Sequence, residues 1–134
     1  MTDKESEVLF AGNFFAWNHV LGVALFFVAS VLQFQSHTIL ARLRKDKTGT
    51  VVTLKHSIPR GSLFNLLSCP HYFAEILIYL SMCLIFNGRS ATWLMVCCFV
   101  VLNQIIVGLF NHQWYLDTFK DYPKNRKAVI PFLL

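Results

Sequence analysis

Three sets of polar side chains at helical spacing interrupt an otherwise apolar sequence. In S-C-P-H-Y-F-A-E-I-L-I-Y-L, residues 68–80, Glu75 stands about one turn inside a hydrophobic run, with His71 four residues before it and Tyr79 four after. Gln33, His37 and Arg44 form a second set, and Gln104, Asn111 and Tyr115 a third, with Gly108 between them and His112 beside them. Offsets of 4, 7 and 11 place residues on one face of an α-helix, so each set reads as a polar stripe. A charge at the bilayer centre costs on the order of 2.5–3.5 kcal/mol. Glu75 lies only about 5 Å inside its run at 1.5 Å per residue, so its cost is smaller but real. A carboxylate persists there if it faces a polar cavity, or if it cross-links the bundle through a neighbouring Arg or His. Convergence of three stripes at one level favours the cavity.

The chemistry open to such a site is bounded by what the sequence contains. Arg44, Arg60 and the cations of the C-terminal tail suit a phosphorylated cofactor, because guanidinium groups bind phosphate as a fork. A carboxylate and amide side chains suit ribose hydroxyls or a carboxamide. No Ser-His-Asp set, carboxylate pair, HExxH, P-loop or GxGxxG is present. Cys69, Cys83, Cys97 and Cys98 lack metal or disulfide spacing, and the last three sit in apolar runs as small hydrophobes; no metal is expected. Other polar residues have plainer readings. His37 and His112 taken singly read as interfacial packing or caps, and Trp114 and Tyr115 as belt anchors. Lys124, Arg126 and Lys127 read as a solvated basic tail against anionic lipid.

The elements that must carry these residues are membrane helices. The 134-residue chain is 55% hydrophobic and 15% aromatic, with only 14% charged residues. A soluble domain of this size has too little interior to hide that much apolar surface. Phe14–Phe34 and Ala91–Phe110 carry no charge and meet the roughly 20 residues a span requires. Tyr72–Phe86 is shorter, extended on its N-terminal side by Leu66 and Leu67. The expectation is an all-α integral membrane protein of about three transmembrane helices, with a cytosolic loop and a C-terminal tail, forming a single domain over 1–134. Arg42, Arg44, Lys45, Lys47, Lys55 and Arg60 lie between the first two runs, and Lys120, Lys124, Arg126 and Lys127 follow the third. The positive-inside rule places both segments in the cytosol and an acidic tail, residues 1–12, in the lumen. Topology thereby accounts for the net charge of +5, with no nucleic-acid partner needed. The N-terminus does not read as a signal peptide, since it lacks a basic segment and its apolar run is too long. In the loop, T-V-V-T-L looks extended, Pro59-Arg60-Gly61 is turn chemistry, and S-L-F-N-L-L suits a short interfacial helix capped by Ser62. The tail, ending I-P-F-L-L, is expected to dock back on the bilayer or the bundle.

Three blocks carry a family resemblance: H-T-I-L-A-R-L-R-K (37–45), I-P-R-G-S-L-F (58–64) and F-K-D-Y-P-K-N-R-K-A-V-I-P-F-L-L (119–134). In this order, over roughly Gln33 to Leu134, they resemble the steroid 5-alpha-reductase family. The run S-C-P-H-Y-F-A-E-I-L-I-Y-L looks most like its polyprenol reductase branch. Steroid-reducing members usually have Asn at His71, Glu-Trp at Ile78-Tyr79, Asp at His37 and Asn at Gln33. The resemblance implies a multi-pass enzyme of the endoplasmic reticulum membrane, with its C-terminus cytosolic and NADPH bound on the cytosolic side. It would reduce the α-isoprene double bond of a polyprenyl lipid, polyprenol or polyprenal, on the path to dolichol, in support of protein N-glycosylation. By the same resemblance, Gln33, His37, Arg44, His71, Glu75, Asn111 and Tyr115 would line the NADPH site, with Arg44 on phosphate and Glu75 hydrogen-bonding the cofactor. Ser57 stands where the family has a strongly basic residue, and Val107 where some steroid members have Arg. Family members carry further spans ahead of this region, which supply the groups that polarise the substrate carbonyl; the catalytic groups are therefore expected outside this chain. Two alternatives are an integral-membrane methyltransferase of the isoprenylcysteine type, which binds S-adenosylmethionine, and a truncated, non-catalytic form.

Overall fold

The computed structural model describes residues 16–134; the expected lumenal tail, 1–12, and the first residues of the leading apolar run lie outside them. Three α-helices and one 3-10 turn make up the described architecture: α1, Trp17–Arg42; the turn Ser62–Asn65; α2, Pro70–Ile85; and α3, Ala91–Thr118. No named strand occurs among the described residues, and the all-helical expectation holds for them. At 1.5 Å per residue, α1 and α3 reach about 39 and 42 Å, enough to cross a bilayer. Their most apolar windows are only 17% and 11% buried within the protein, unlike the core helices of a soluble domain. This is a membrane protein.

The middle helix differs from its expected form. It has 16 residues, about 24 Å, and although apolar it is too short to count with the other two as a span. Leu66 and Leu67 do not extend it. Pro70 sits at its first position, where the missing N–H costs nothing, and Leu67 instead forms a parallel bridge with Lys127. Ser62 likewise does not cap the short helix. Gly61, at φ 97°, precedes the turn as its cap, and Ser62 Oγ donates to Gln35 Oε1 at 3.4 Å. The left-handed φ at Gly61 is one that glycine adopts without a Cβ clash.

Packing follows small residues. The buried positions of α1, Gly22, Ala29 and Ser36, recur every seven residues and form one narrow seam. A Cβ on Gly22 would come within 2.7 Å of Ile85 Cγ1 and 2.9 Å of the Ser81 carbonyl, so α1 and α2 approach closely there. Within a bilayer, such backbone approach and van der Waals contact drive helix association, since lipid removes the hydrophobic incentive. α2 packs against both α1 and α3, whereas α1 and α3 hardly meet. The middle helix is thus the spine, and the other two flank it.

The C-terminal tail docks on the protein. Lys127 N donates to Leu66 O at 2.9 Å, Ser68 N to Lys127 O at 2.8 Å and Cys69 N to Ala128 O at 3.0 Å. Val129, fully buried, lies against Gly108 of α3, where an added Cβ would overlap its Cγ2. Cys69, Ile76, Ala128 and Val129 form the apolar cluster beneath, with Tyr72, Val101 and Ile105 packed on it. Arg126 departs from the solvated-tail reading: it is 3% exposed, its guanidinium 5.1 Å from the centroid of the Tyr122 ring and its Nη1 donating to the Pro59 carbonyl at 2.9 Å. Lys124 and Lys127 remain exposed.

Candidate functional site

α1 and α3 run one way and α2 the other, so the C-terminal ends of α1 and α3 meet the N-terminal end of α2. At that junction lies a cavity of about 590 Å³. This is within the range of small-molecule and cofactor sites. Arg44 just past α1, His71 at the start of α2, and Asn111 and Tyr115 near the end of α3 all line it. Four of the seven expected site residues are therefore brought to one cavity by three different helices.

The other three lie beside it. His37 is one to two turns back along α1 from Arg44, its ring centroid 5.5 Å from that of His71. Gln33 Nε2 donates to Glu75 Oε2 at 3.5 Å, a long contact that joins α1 to α2 a turn deeper. Glu75 thus meets an amide from the facing helix, and neither Gln33 nor Glu75 reaches the cavity wall. The stripe His71–Glu75–Tyr79 does not act as a unit. Tyr79 stacks on Trp93 of α3, with centroids 5.8 Å apart and planes 7° from parallel, because eight residues of helix carry it about 80° around the axis. Gln104 is buried on the inner face of α3, away from the cavity.

The loop and the segment before α2 complete the wall. Lys55, His56 and Ser57 enter from the long loop, and Ser68 and Cys69 from the segment preceding α2. Sequence periodicity had no means of finding them, since they lie outside helices. Ser68 is buried, with Oγ 2.6 Å from His112 Nδ1 and hydrogen-bonded to the Tyr122 hydroxyl, so it ties the tail to α3. His112 is accordingly a structural partner, in line with its plainer reading. Tyr115 is no simple belt anchor: it lines the cavity and stacks on Tyr122, centroids 5.1 Å apart. Trp114 also lines the cavity, edge-on to His56 at 5.1 Å.

The electrostatic character is one-sided. Arg44 and Lys55 are cationic, and no carboxylate is among the lining residues. Asn111 Nδ2 donates to Tyr72 Oη at 3.1 Å, which fixes the amide and leaves its carbonyl oxygen as an acceptor. His71 Nδ1 is buried without a hydrogen-bond partner. An unpaired buried polar atom costs about 1–3 kcal/mol, which a bound ligand would relieve. Two cations, a free imidazole nitrogen, an oriented amide and two aromatic faces fit a phosphorylated ligand with a polar, planar part. No group of three or more metal-binding side chains occurs among the described residues.

The chain is 48% identical over 130 residues to a Danio rerio protein named polyprenal reductase, an alignment covering 97% of this chain and 42% of that protein. It is 47% identical over 117 residues to a Xenopus tropicalis protein of the same name, covering 87% and 38%. A Homo sapiens polyprenal reductase is 43% identical over 117 residues, covering 87% and 37%. The chain thus spans about two fifths of the length of these relatives. Residues 5–134 match the family described as 3-oxo-5-alpha-steroid 4-dehydrogenase, and the chain belongs to that family, the steroid 5-alpha-reductases.

Proposed function

We propose that this chain forms the cofactor-binding part of an NADPH-dependent reductase of polyprenyl lipids, acting on the α-isoprene double bond of polyprenal on the path to dolichol and so supporting N-glycosylation. The observation that carries the reading is the cavity where three helix ends meet, cationic, free of carboxylates and holding an unpaired imidazole nitrogen. Family membership and relatives named polyprenal reductase support the reductase over the isoprenylcysteine-type methyltransferase.

In this reading, bound NADPH would supply a hydride to the β-carbon of the conjugated lipid, leaving NADP+, and the α-carbon of the resulting enolate would take a proton from water. Arg44 and Lys55 hold its phosphates, Arg44 as a fork and Lys55 as a point charge. His71 Nδ1 and the Asn111 carbonyl bond its polar groups, and Tyr115 and Trp114 give it apolar faces. Glu75 and Gln33 act a turn deeper: their contact sets the spacing of α1 and α2, and with it the seating of His37 against His71. The groups that polarise the substrate carbonyl are supplied from outside this chain. The basic segments at that end support a cytosolic cavity mouth, and placement in the endoplasmic reticulum is what the family resemblance implies.

The test has two parts. Purified chain is titrated with NADPH, following energy transfer from the tryptophans, for wild type and Arg44→Gln. Membranes from cells lacking their own reductase, expressing the chain or Glu75→Gln, are then assayed for NADPH-dependent polyprenal reduction. Saturable binding weakened at least tenfold by Arg44→Gln supports the cofactor site. Turnover by the wild type that is lost in Glu75→Gln supports a reductase complete in this chain, whereas binding without turnover supports a cofactor-binding part whose polarising groups lie outside it. No binding by the wild type overturns the reading.

A further inference from the structure

We infer that Arg126 is a positioning residue that holds the Lys55–Ser57 wall of the cavity through the carbonyl of Pro59. The tail residue itself does not line the cavity. It is 3% exposed, and its guanidinium meets a π face and one backbone carbonyl rather than a carboxylate. Its Nε has no partner. Burying a cation with such partial compensation is costly, so the placement needs a reason other than charge pairing.

The reason lies in the segment it reaches. From His56 through Arg60, the Pro59 carbonyl is the one backbone group hydrogen-bonded to protein among the described residues, and Arg126 Nη1 is its donor. Pro59 has no N–H of its own to give. Lys55, His56 and Ser57, immediately upstream, form the cavity wall. The edge contact of His56 with Trp114 is too weak to hold them alone. Arg126 is itself fixed, because the next residue, Lys127, pairs with Leu66, and Tyr122 beneath its guanidinium bonds Ser68. The tail thus sets the loop, and the loop sets one wall of the site. That the wall serves NADPH rests on the function proposed above; that Arg126 places it does not.

The experiment uses the full chain in nanodiscs, comparing wild type, Arg126→Met and Arg126→Lys. Trypsin cleavage after Lys55 and after Arg60 reports the freedom of the wall, and cleavage after Lys47 serves as the internal reference. NADPH affinity and melting temperature are measured on the same samples. Loss of one hydrogen bond to a charged donor raises the open population about tenfold or more. Arg126→Met is expected to speed cleavage after Lys55 and Arg60 by that factor, leave Lys47 unchanged, and weaken NADPH about tenfold. Arg126→Lys, which keeps a donor, is expected to recover at least half of each effect on a logarithmic scale. Unchanged cleavage after Lys55 and Arg60 in Arg126→Met overturns the inference. Acceleration at all three sites together with a lower melting temperature also overturns it, because Arg126 is then merely structural. A wild type that fails to bind NADPH but shows the selective cleavage pattern removes the cofactor reading and leaves the positioning role intact.

Discussion

Gly108→Ala tests the docking of the C-terminal tail directly. A Cβ at this position would overlap Val129 Cγ2, while its other neighbours, Val129 Cβ and Tyr72 Cδ2, stand at an ordinary 3.5 Å. Val129 is fully buried and cannot swing away without leaving the cluster formed with Cys69, Ile76 and Ala128. Overpacking of this kind costs about 1–3 kcal/mol. Alanine also improves the helix by about 1 kcal/mol relative to glycine. That gain is present whether the tail is docked or not, so it does not offset the penalty on docking. The undocked population should therefore rise about 5- to 150-fold. Cys69, 1% exposed beneath the tail, is the reporter: maleimide labelling resolved by peptide mass should rise at Cys69 while Cys98, on the lipid-facing side of the α3 span, stays unchanged. Val129→Ala in the same chain removes the overlapping methyl and should restore protection, with a coupling of about 0.5–3 kcal/mol. Protection of Cys69 that is indifferent to Gly108→Ala, or a double variant no better than the single, would refute the packing argument.

Other perturbations follow from single contacts. Ser68→Ala leaves His112 Nδ1 and the Tyr122 hydroxyl without their shared partner; a stability loss of about 1–3 kcal/mol is expected in denaturant or thermal unfolding. Gly22→Ala forces the new methyl against Ile85 and the Ser81 carbonyl; a loss of about 1–3 kcal/mol is expected, measured as melting temperature in nanodiscs. In the exposed loop after α1, the Asp46 carboxylate accepts from the Thr48 hydroxyl at 2.6 Å and the Thr48 and Thr50 amides at 2.8 and 3.0 Å, the hydroxyl bond being the main cause of its lowered pKa. A lowered folded pKa means the turn's stability is present above the ordinary aspartate range and is lost as pH falls through the folded value. Amide resonances of Thr48 and Thr50 should therefore lose their folded shifts on acidification, and Asp46→Ala should lose them at neutral pH.

The sequence determined more than its local patterns. Uncharged runs of about 20 residues require membrane helices, because lipid leaves backbone groups no partner outside a helix or a closed barrel and barrel strands are about half that length; the asymmetry of basic residues sets their orientation. Helical spacing also identified Arg44, His71, Asn111 and Tyr115, since each stripe falls on the face that meets its neighbours. Three ordered blocks carried the family resemblance that the comparisons bore out. Tertiary structure decided the rest. Glu75, the residue that most invited a cavity, lies against Gln33 between helices, because it stands one turn deeper along α2 than His71, where the shared face meets α1 rather than the junction. Leu67 left the helix it was expected to extend because pairing with Lys127, sixty residues away in sequence, holds it in the segment before Pro70. Arg126 looked like one more cation in a basic tail, and its burial under the Pro59 loop depends on contacts no periodicity encodes. Periodic patterns specify which face a residue occupies; only the path of the chain specifies what that face meets.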